Sequence, residues 1–183
     1  FDGMFSFAIW DSTKKELFAA RDRFGEKPFF YYFDGKQLLF ASEMKALWAA
    51  GADRTANQKM LFNFITIGYT DNPSQPRETF FENIHKLPPA MVLKYNTSNF
   101  KLVLEKYWDI DPEKQNKKIT DTEAIEQFNH LFSTSVKRRL RSDVSIGTSL
   151  SDGLDSSSVV ATASLFTHNH SPFNTFTAIF FFF

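Results

Sequence analysis

The sequence predicts an α/β chain in two parts: an antiparallel, β-rich unit, then a helix and the opening βαβ of a parallel sheet. Three observations carry this. Short apolar runs broken by turn residues fill positions 1–108. A polar stretch, D-I-D-P-E-K-Q-N-K-K at 109–118, interrupts them and reads as a linker. An amphipathic helical pattern then leads into V-S-I-G-T-S-L-S-D-G-L-D-S-S-S at 144–158. There an apolar, partly β-branched run stops at a small polar loop, and a helix-like run follows.

The first unit is expected to start with strands at 4–10, 16–20, 29–33 and 37–41. Asp34-Gly35 between the last two is a strong two-residue hairpin signal. A four-strand antiparallel meander is the economical arrangement. Ser42 is placed to cap a short helix over 43–50 that Gly51 closes. Residues 57–67 read as a second helix with Leu61, Phe62 and Ile65 on one face. Residues 79–89 read as a connector, and 91–95 with 102–107 as a hairpin. Trp10, Trp48 and Trp108 are expected in core or interdomain packing.

The second unit begins at Thr120, which forms a capping box with Glu123. Ile125, Phe128, Phe132 and Val136 then recur at helical spacing, with Leu131 and Leu140 beside them. Lys137, Arg138, Arg139 and Arg141 crowd the helix end, where cations suit the dipole; contact with phosphate is the alternative. Residues 144–150 read as a buried parallel strand, about 155–165 as a helix, and 173–179 as the next strand of a right-handed βαβ unit.

Composition removes several classes. Hydrophobic residues make up 43% of the 183 and charged residues 23%, so a buried core is expected. Lys plus Arg and Asp plus Glu are 21 each, so no global field favours nucleic acid or an anionic membrane. No apolar run is long enough to span a bilayer. There is no Cys, which excludes disulfides, zinc thiolates and a cysteine nucleophile within this chain and fits a reducing, cytoplasmic setting. The four His residues, His85, His130, His168 and His170, share no metal spacing. Phe1-Asp2-Gly3 and the Phe180–Phe183 tract both read as cuts, so the chain is expected to be an internal fragment.

The loop after residue 150 carries the chemistry. Small residues let backbone N–H groups approach a ligand, and the helix behind them offers unpaired N–H groups and its positive dipole end to an anion. Hydroxyls of Ser151, Ser156 and Ser157 can add donors. Neither a Walker A loop nor a dinucleotide fingerprint is present. On the residues alone an anion cradle and a plain turn with Asp155 as N-cap stay equally open.

Ser151-Asp152-Gly153-Leu154-Asp155-Ser156-Ser157 resembles the S-G-G-x-D-S-S pyrophosphate loop of the PP-loop ATP pyrophosphatases. Its flank, Arg141-Ser142-Asp143-Val144 with Gly147 and Leu150, resembles the approach to that loop in glutamine-hydrolysing asparagine synthetases. Residues 3–11, 20–28, 40–47, 80–90 and Tyr107-Trp108 are similar to successive segments of the same family, in order. The resemblance covers about residues 1–180. It implies the C-terminal part of a class II glutaminase domain, an αββα sandwich with an N-terminal nucleophile, at 1–108. A linker at 109–119 and the N-terminal part of an adenine-nucleotide α-hydrolase-like synthetase domain at 120–183 follow. The implied reaction of the full-length protein is adenylation of the aspartate β-carboxylate by ATP with Mg2+, then displacement of AMP by glutamine-derived ammonia. Aspartate, glutamine and ATP are the implied partners, and a homodimer stays open beside a monomer. The resemblance places Ser151, Gly153, Asp155, Ser156 and Ser157 on pyrophosphate, Leu150 near the adenine, and Asp155 near the magnesium–pyrophosphate group. It holds the adenine between the ends of the two parallel strands.

Two departures matter. The family's glutaminase nucleophile is an N-terminal Cys, and none is present, so no glutaminase catalytic residue is expected here. Asp152 stands where the family has Gly. Gly tolerates positive φ and close backbone approach, whereas Asp adds a negative charge beside polyphosphate. Weakened ATP binding is the expectation. A related ligase acting on another carboxylate and a non-catalytic remnant are the alternative functions. Arg21, Asp22, Arg23 and Lys27 are expected to form a structural ion-pair network bridging strands, with substrate positioning as the alternative.

Overall fold

The computed structural model of the chain describes residues 1–151, 153–167 and 174–178. It is a mixed α/β protein with antiparallel sheets. The chain divides into two compact units, Phe1–Pro112 and Glu113–Phe183.

In the first unit β1 (Ser6–Asp11) and β2 (Glu16–Arg21) form a hairpin, its turn tied by Asp11 Oδ1, which accepts from the Thr13 and Lys14 N–H groups. β3 (Phe30–Phe33) and β4 (Leu38–Ala41) form a second hairpin. There Asp34 Oδ1 accepts from Lys36 and Gln37 N–H at 2.8 and 2.7 Å, the side chain standing in for a backbone turn acceptor.

The two hairpins do not join into the expected meander. β2 pairs next with β6 (Met91–Asn96), and β6 with β7 (Lys101–Lys106), so the first sheet has the order β1-β2-β6-β7. β3 pairs instead with β5 (Ile84–Lys86), a strand inside what reads from sequence as a connector. The second sheet is therefore β4-β3-β5. Burial explains the split. Phe29 and Tyr31 join Leu17, Ala19, Leu93 and Tyr95 in one buried cluster between the two sheets. Phe30 and Tyr32, on the opposite face, pack on a second cluster with Leu47, Ala52 and Ile84. A strand apolar on both faces is satisfied in a middle layer and not in a one-sided meander. Fully burying one such side chain contributes about 1.5–3 kcal/mol.

Two helices accompany the sheets. α1 (Met44–Ala49) supplies the outer cover of the second sheet through Leu47 and Trp48. Its N-cap is Glu43 and makes no side-chain bond, so Ser42 does not cap it. α2 (Gln58–Ile67) is capped by the Asn57 side chain, which accepts from Met60 N–H at 3.1 Å, and ends at Gly68 in the left-handed region. Met60 is its buried residue, while Phe62 and Ile65 are 65% and 79% exposed. The apolar face expected from sequence is thus mostly turned to solvent. Trp10 is half exposed, whereas Trp48 packs at 4.8 Å on Phe81 and Trp108 stacks edge-on with Phe24.

In the second unit α3 (Asp121–Arg139) opens with the expected capping box between Thr120 and Glu123. Val136 is buried, but Ile125, Phe128 and Leu131 of the same stripe are exposed. β8 (Gly147–Ser149) pairs in parallel with β9 (Asn174–Phe176), and α4 (Leu154–Ser164) lies between them in sequence. The first strand is shorter than expected from 144–150, and Val144 is 76% exposed. Phe173 and Ile179 of the expected second strand, His168, Asn169, His170 and Phe180–Phe183 lie outside the described residues. Among the described residues no helix is long and apolar enough to cross a membrane.

Candidate functional site

The loop between β8 and α4 starts at Leu150, whose N–H donates to the Phe176 carbonyl at 2.8 Å. The Thr177 hydroxyl donates to the Leu150 carbonyl, also at 2.8 Å. Both bonds anchor the first residue of the loop to the end of β9. Asp152, the residue at the family's Gly position, lies outside the described residues.

Beyond Leu150 the loop folds around one oxygen. Ser156 Oγ lies 3.1 Å from both the Ser151 and Gly153 carbonyls and 2.8 Å from Ser151 Oγ. It accepts from Ser151 N–H at 3.2 Å. Ser151 Oγ accepts from Gly153 N–H at 3.3 Å, and the Ser157 hydroxyl donates to the Gly153 carbonyl at 2.9 Å. The serines expected to face a ligand are here spent on the loop itself. Their bonds are local and solvent-exposed, so each is worth little and exchanges readily with water or a ligand.

Gly153, and not Asp155, is the N-cap of α4. Its φ of −80° and ψ of 155° are extended, and with no side chain it caps nothing. Asp155 sits in the first turn, so the reading of Asp155 as a plain N-cap is overturned. Ser157 N–H makes the first bond back to Gly153 O. Among the described residues no side chain accepts from the Leu154, Asp155 or Ser156 N–H groups, and an uncapped helix start is a natural anion site. The structure thus brings Leu150, Ser151, Gly153, Ser156 and Ser157 together, with Asp155 beside them in the first turn.

No group of three or more His, Asp or Glu among the described residues can hold a metal. The single carboxylate of Asp155 suits a cation that arrives with a phosphate better than a dedicated cage. A separate open cleft of about 300 Å³ lies between α3, β8 and α4, lined by Phe132, Val136, Ile146, Val159 and Ala163 with Arg139 at its wall. It is formed chiefly by apolar side chains and by the part of α4 away from the loop.

In the first unit, Arg21 and Asp22 do not form the expected ion-pair network; both bind main chain. Asp22 is 1% exposed, and its carboxylate accepts from the N–H groups of Phe5, Phe24, Glu26 and Lys27 at 3.3, 3.1, 3.0 and 3.0 Å. Burial pushes that carboxyl up, but the four N–H groups outweigh it and hold it below its ordinary value. Arg21 donates to the carbonyls of Lys27 at 2.7 Å, Leu87 at 2.6 Å and Gly25. Arg23 stands over the Trp108 ring. Arg21 and Asp22, occupied in this way with backbone, are structural.

Thr177 is the residue the sequence does not mark. Thr175 and Thr177 alternate in N-T-F-T-A, and only the register of β9 against β8, with Thr175 opposite Thr148, brings Thr177 to Leu150.

Comparison with known proteins matches the chain to a family. A model of the glutamine amidotransferase domain matches residues 1–108, and a model of asparagine synthase matches residues 127–181. The chain belongs to the glutamine-hydrolysing asparagine synthetase family. Among the asparagine synthetases it resembles is glutamine-hydrolysing asparagine synthetase 3 of Bacillus subtilis, 40% identical over 168 residues, covering 88% of this chain and 25% of that protein. Asparagine synthetase 2 of the same organism is 35% identical over 163 residues, covering 86% of this chain and 22% of its own. A protein named amidase chry2 from Gibberella zeae is 32% identical over 164 residues, covering 88% and 23%. The chain therefore spans about a quarter of the length of these relatives. A solved structure described as the allosteric regulatory enzyme of purine biosynthesis aligns with 88% of this chain and 29% of its own at 14% identity and a TM-score of 0.32, a likeness too distant to bear on function.

Proposed function

We propose that this chain is part of an ATP-dependent amide ligase that converts aspartate to asparagine with ammonia from glutamine. Residues 1–108 are read as glutaminase, 109–119 as linker and 120–183 as synthetase. The observation that carries the reading is the uncapped start of α4 behind the loop of small residues at 151–157, inside the segment that matches asparagine synthase.

In this reading ATP lies across the carboxyl ends of β8 and β9, as ligands do in open α/β sheets. Leu150 borders the adenine. The N–H groups at the start of α4, with Gly153 and the hydroxyls of Ser151, Ser156 and Ser157, hold the pyrophosphate. Asp155 would hold the magnesium that accompanies it, which would supply charge neutralisation for the departing pyrophosphate. The aspartate β-carboxylate attacks the α-phosphorus, and the bond to pyrophosphate breaks. Ammonia then attacks the activated carbonyl carbon, forming the C–N bond as AMP leaves. The residues of this chain contribute binding and orientation, which alone supply much of the acceleration in phosphoryl and nucleotidyl transfer. The chain has no Cys, so in this reading glutamine cleavage does not depend on any nucleophile within it.

Similarity to amidase chry2 at nearly the same identity supports a second reading, in which a related ligase acts on another carboxylate.

Binding of magnesium–ATP and magnesium–pyrophosphate to the chain, measured by calorimetry for the natural sequence and for Asp152→Gly, tests the site. Binding is expected in both, tighter by about tenfold for Gly, the scale of one removed like-charge contact. Equal affinities would remove Asp152 as a determinant. No binding in either form would overturn the nucleotide reading and leave a non-catalytic scaffold. Replacing the aligned segment of the Bacillus subtilis synthetase 3 with this chain, and following pyrophosphate release with aspartate against other acids, separates the two substrate readings.

A further inference from the structure

The bond that fixes the start of the loop is not the one a parallel ladder supplies. β8 and β9 run in parallel with Ser149 opposite Phe176, and the Leu150 N–H donates to the Phe176 carbonyl. In such a ladder the next bond runs from the residue two further along the second strand back to the same first-strand residue. Here that would be Ala178 N–H to the Leu150 carbonyl. It is not made. The Thr177 hydroxyl takes that carbonyl instead, at 2.8 Å. Ala178 N–H is left without an acceptor among the described residues.

We infer that Thr177 is a positioning residue for the nucleotide site: its hydroxyl clasps the Leu150 carbonyl, stops the β8–β9 ladder one bond early, and leaves the Ala178 N–H, at the carboxyl ends of the strands, with no acceptor among the described residues. The inference rests on the reading of the 151–157 loop as a nucleotide site and deepens it. A backbone donor with no acceptor among the described residues, at the carboxyl ends of parallel strands, lies where ligands enter α/β sheets. The donors for phosphate come from the other side of the loop, at the start of α4. Thr177 hydrogen-bonds Leu150 and, among the described residues, no residue of that helix. Its loss should therefore be felt by the nucleoside half of a ligand and not by the pyrophosphate half. A threonine that only held the two strands together would weaken both halves alike.

The test uses the 183-residue chain in the natural and Asp152→Gly forms, each with Thr177, Thr177→Val and Thr177→Ser. Val keeps the shape and removes the hydroxyl, and Ser restores the hydroxyl. Calorimetry with magnesium–ATP, AMP and magnesium–pyrophosphate reads the two halves of the site. Thr177→Val is expected to weaken ATP and AMP by roughly three- to tenfold, the worth of one hydrogen bond, with pyrophosphate changed less than about twofold. Thr177→Ser is expected to bind all three like the parent. Amide exchange gives an independent reading. With the hydroxyl gone, the Leu150 carbonyl is open to Ala178 N–H, so exchange at Ala178 should slow several-fold in Thr177→Val and not in Thr177→Ser. Unchanged ATP and AMP affinity, or an equal loss for pyrophosphate, overturns the positioning role while the nucleotide reading stands. Ala178 exchange that is unmoved or faster in Thr177→Val overturns the clasp. A parent that binds none of the three ligands in either form overturns the nucleotide reading, and the role of Thr177 falls with it.

Discussion

Two polar loops of similar length are held in opposite ways. The loop after β2, residues 21–28, wraps around charged groups buried against backbone. Asp22 alone takes four N–H groups, and Arg21 reaches three carbonyls. The loop after β8, residues 151–157, is held by hydroxyls that bond to their own neighbours at the surface. In the first, the charged groups of Arg21 and Asp22 are taken up by backbone. The second has an uncapped helix start and bonds weak enough to exchange. A cluster of charged residues in a sequence can thus be scaffold, while a run of serines can be held only by local, exposed bonds.

The contrast can be broken at four points. Asp22→Ala should have the largest effect, because four N–H groups lose a buried acceptor; a loss of about 4 kcal/mol or more is expected in chemical denaturation. A loss under 1 kcal/mol would mean that water replaces the carboxylate and that the loop is not anchored by it.

Gly25→Ala should follow. Gly25 has φ +69°, and a Cβ there would lie 2.8 Å from Pro89 Cγ and 3.1 Å from the Arg21 guanidinium carbon. Strain and the displaced guanidinium together should cost about 2 kcal/mol, read from the same denaturation midpoint.

The pH profile comes third. Burial and the Arg77 guanidinium push His85 below its ordinary value of 6.5, with Glu78 pulling the other way. The unfolded chain then binds the proton first. Stability is full above pH 6.5 and falls as pH drops below it, by at most about 1.4 kcal/mol per pH unit. His85→Gln should flatten that limb. The Asp22 carboxyl, held below its ordinary 3.8, adds a second loss only as pH falls below that value. A profile for His85→Gln that matches the parent between pH 6.5 and 5 would remove His85 as the cause.

Ser156→Ala should have the smallest effect on stability, below about 1 kcal/mol, since its bonds are exposed. It should nevertheless weaken magnesium–pyrophosphate binding several-fold by opening the loop. A large fall in melting temperature with unchanged pyrophosphate affinity would reverse the assignment of the two loops.

Local signals were legible where their cause is local. The Thr120–Glu123 capping box, the Asp34 turn and the β6–β7 hairpin each lie within a few residues of the groups that make them, and each stands as read. The meander failed because the partner of β2 is about 75 residues away, and nothing near Arg21 announces it. Strand β5 was hidden for the same reason: three residues show no alternation, and pairing with β3 makes them a strand. The ion-pair expectation failed because charge proximity in sequence does not say whether the nearest partner is a side chain or a backbone N–H. At the candidate site, the composition of the loop was visible, but its cap was not. Gly153 precedes Asp155 by two residues, and only the helix start decides which of them takes the cap position.

By itself the sequence determined the two-part organisation, the order of the family segments, and the small-residue loop before a helix. These depend on residue type and short spacing, which the chain carries wherever it goes. The tertiary structure decided which strands share a sheet, that Arg21 and Asp22 hold backbone, and that Thr177 meets Leu150. Each of these depends on register between segments far apart in sequence, and register is settled by which faces can be buried together.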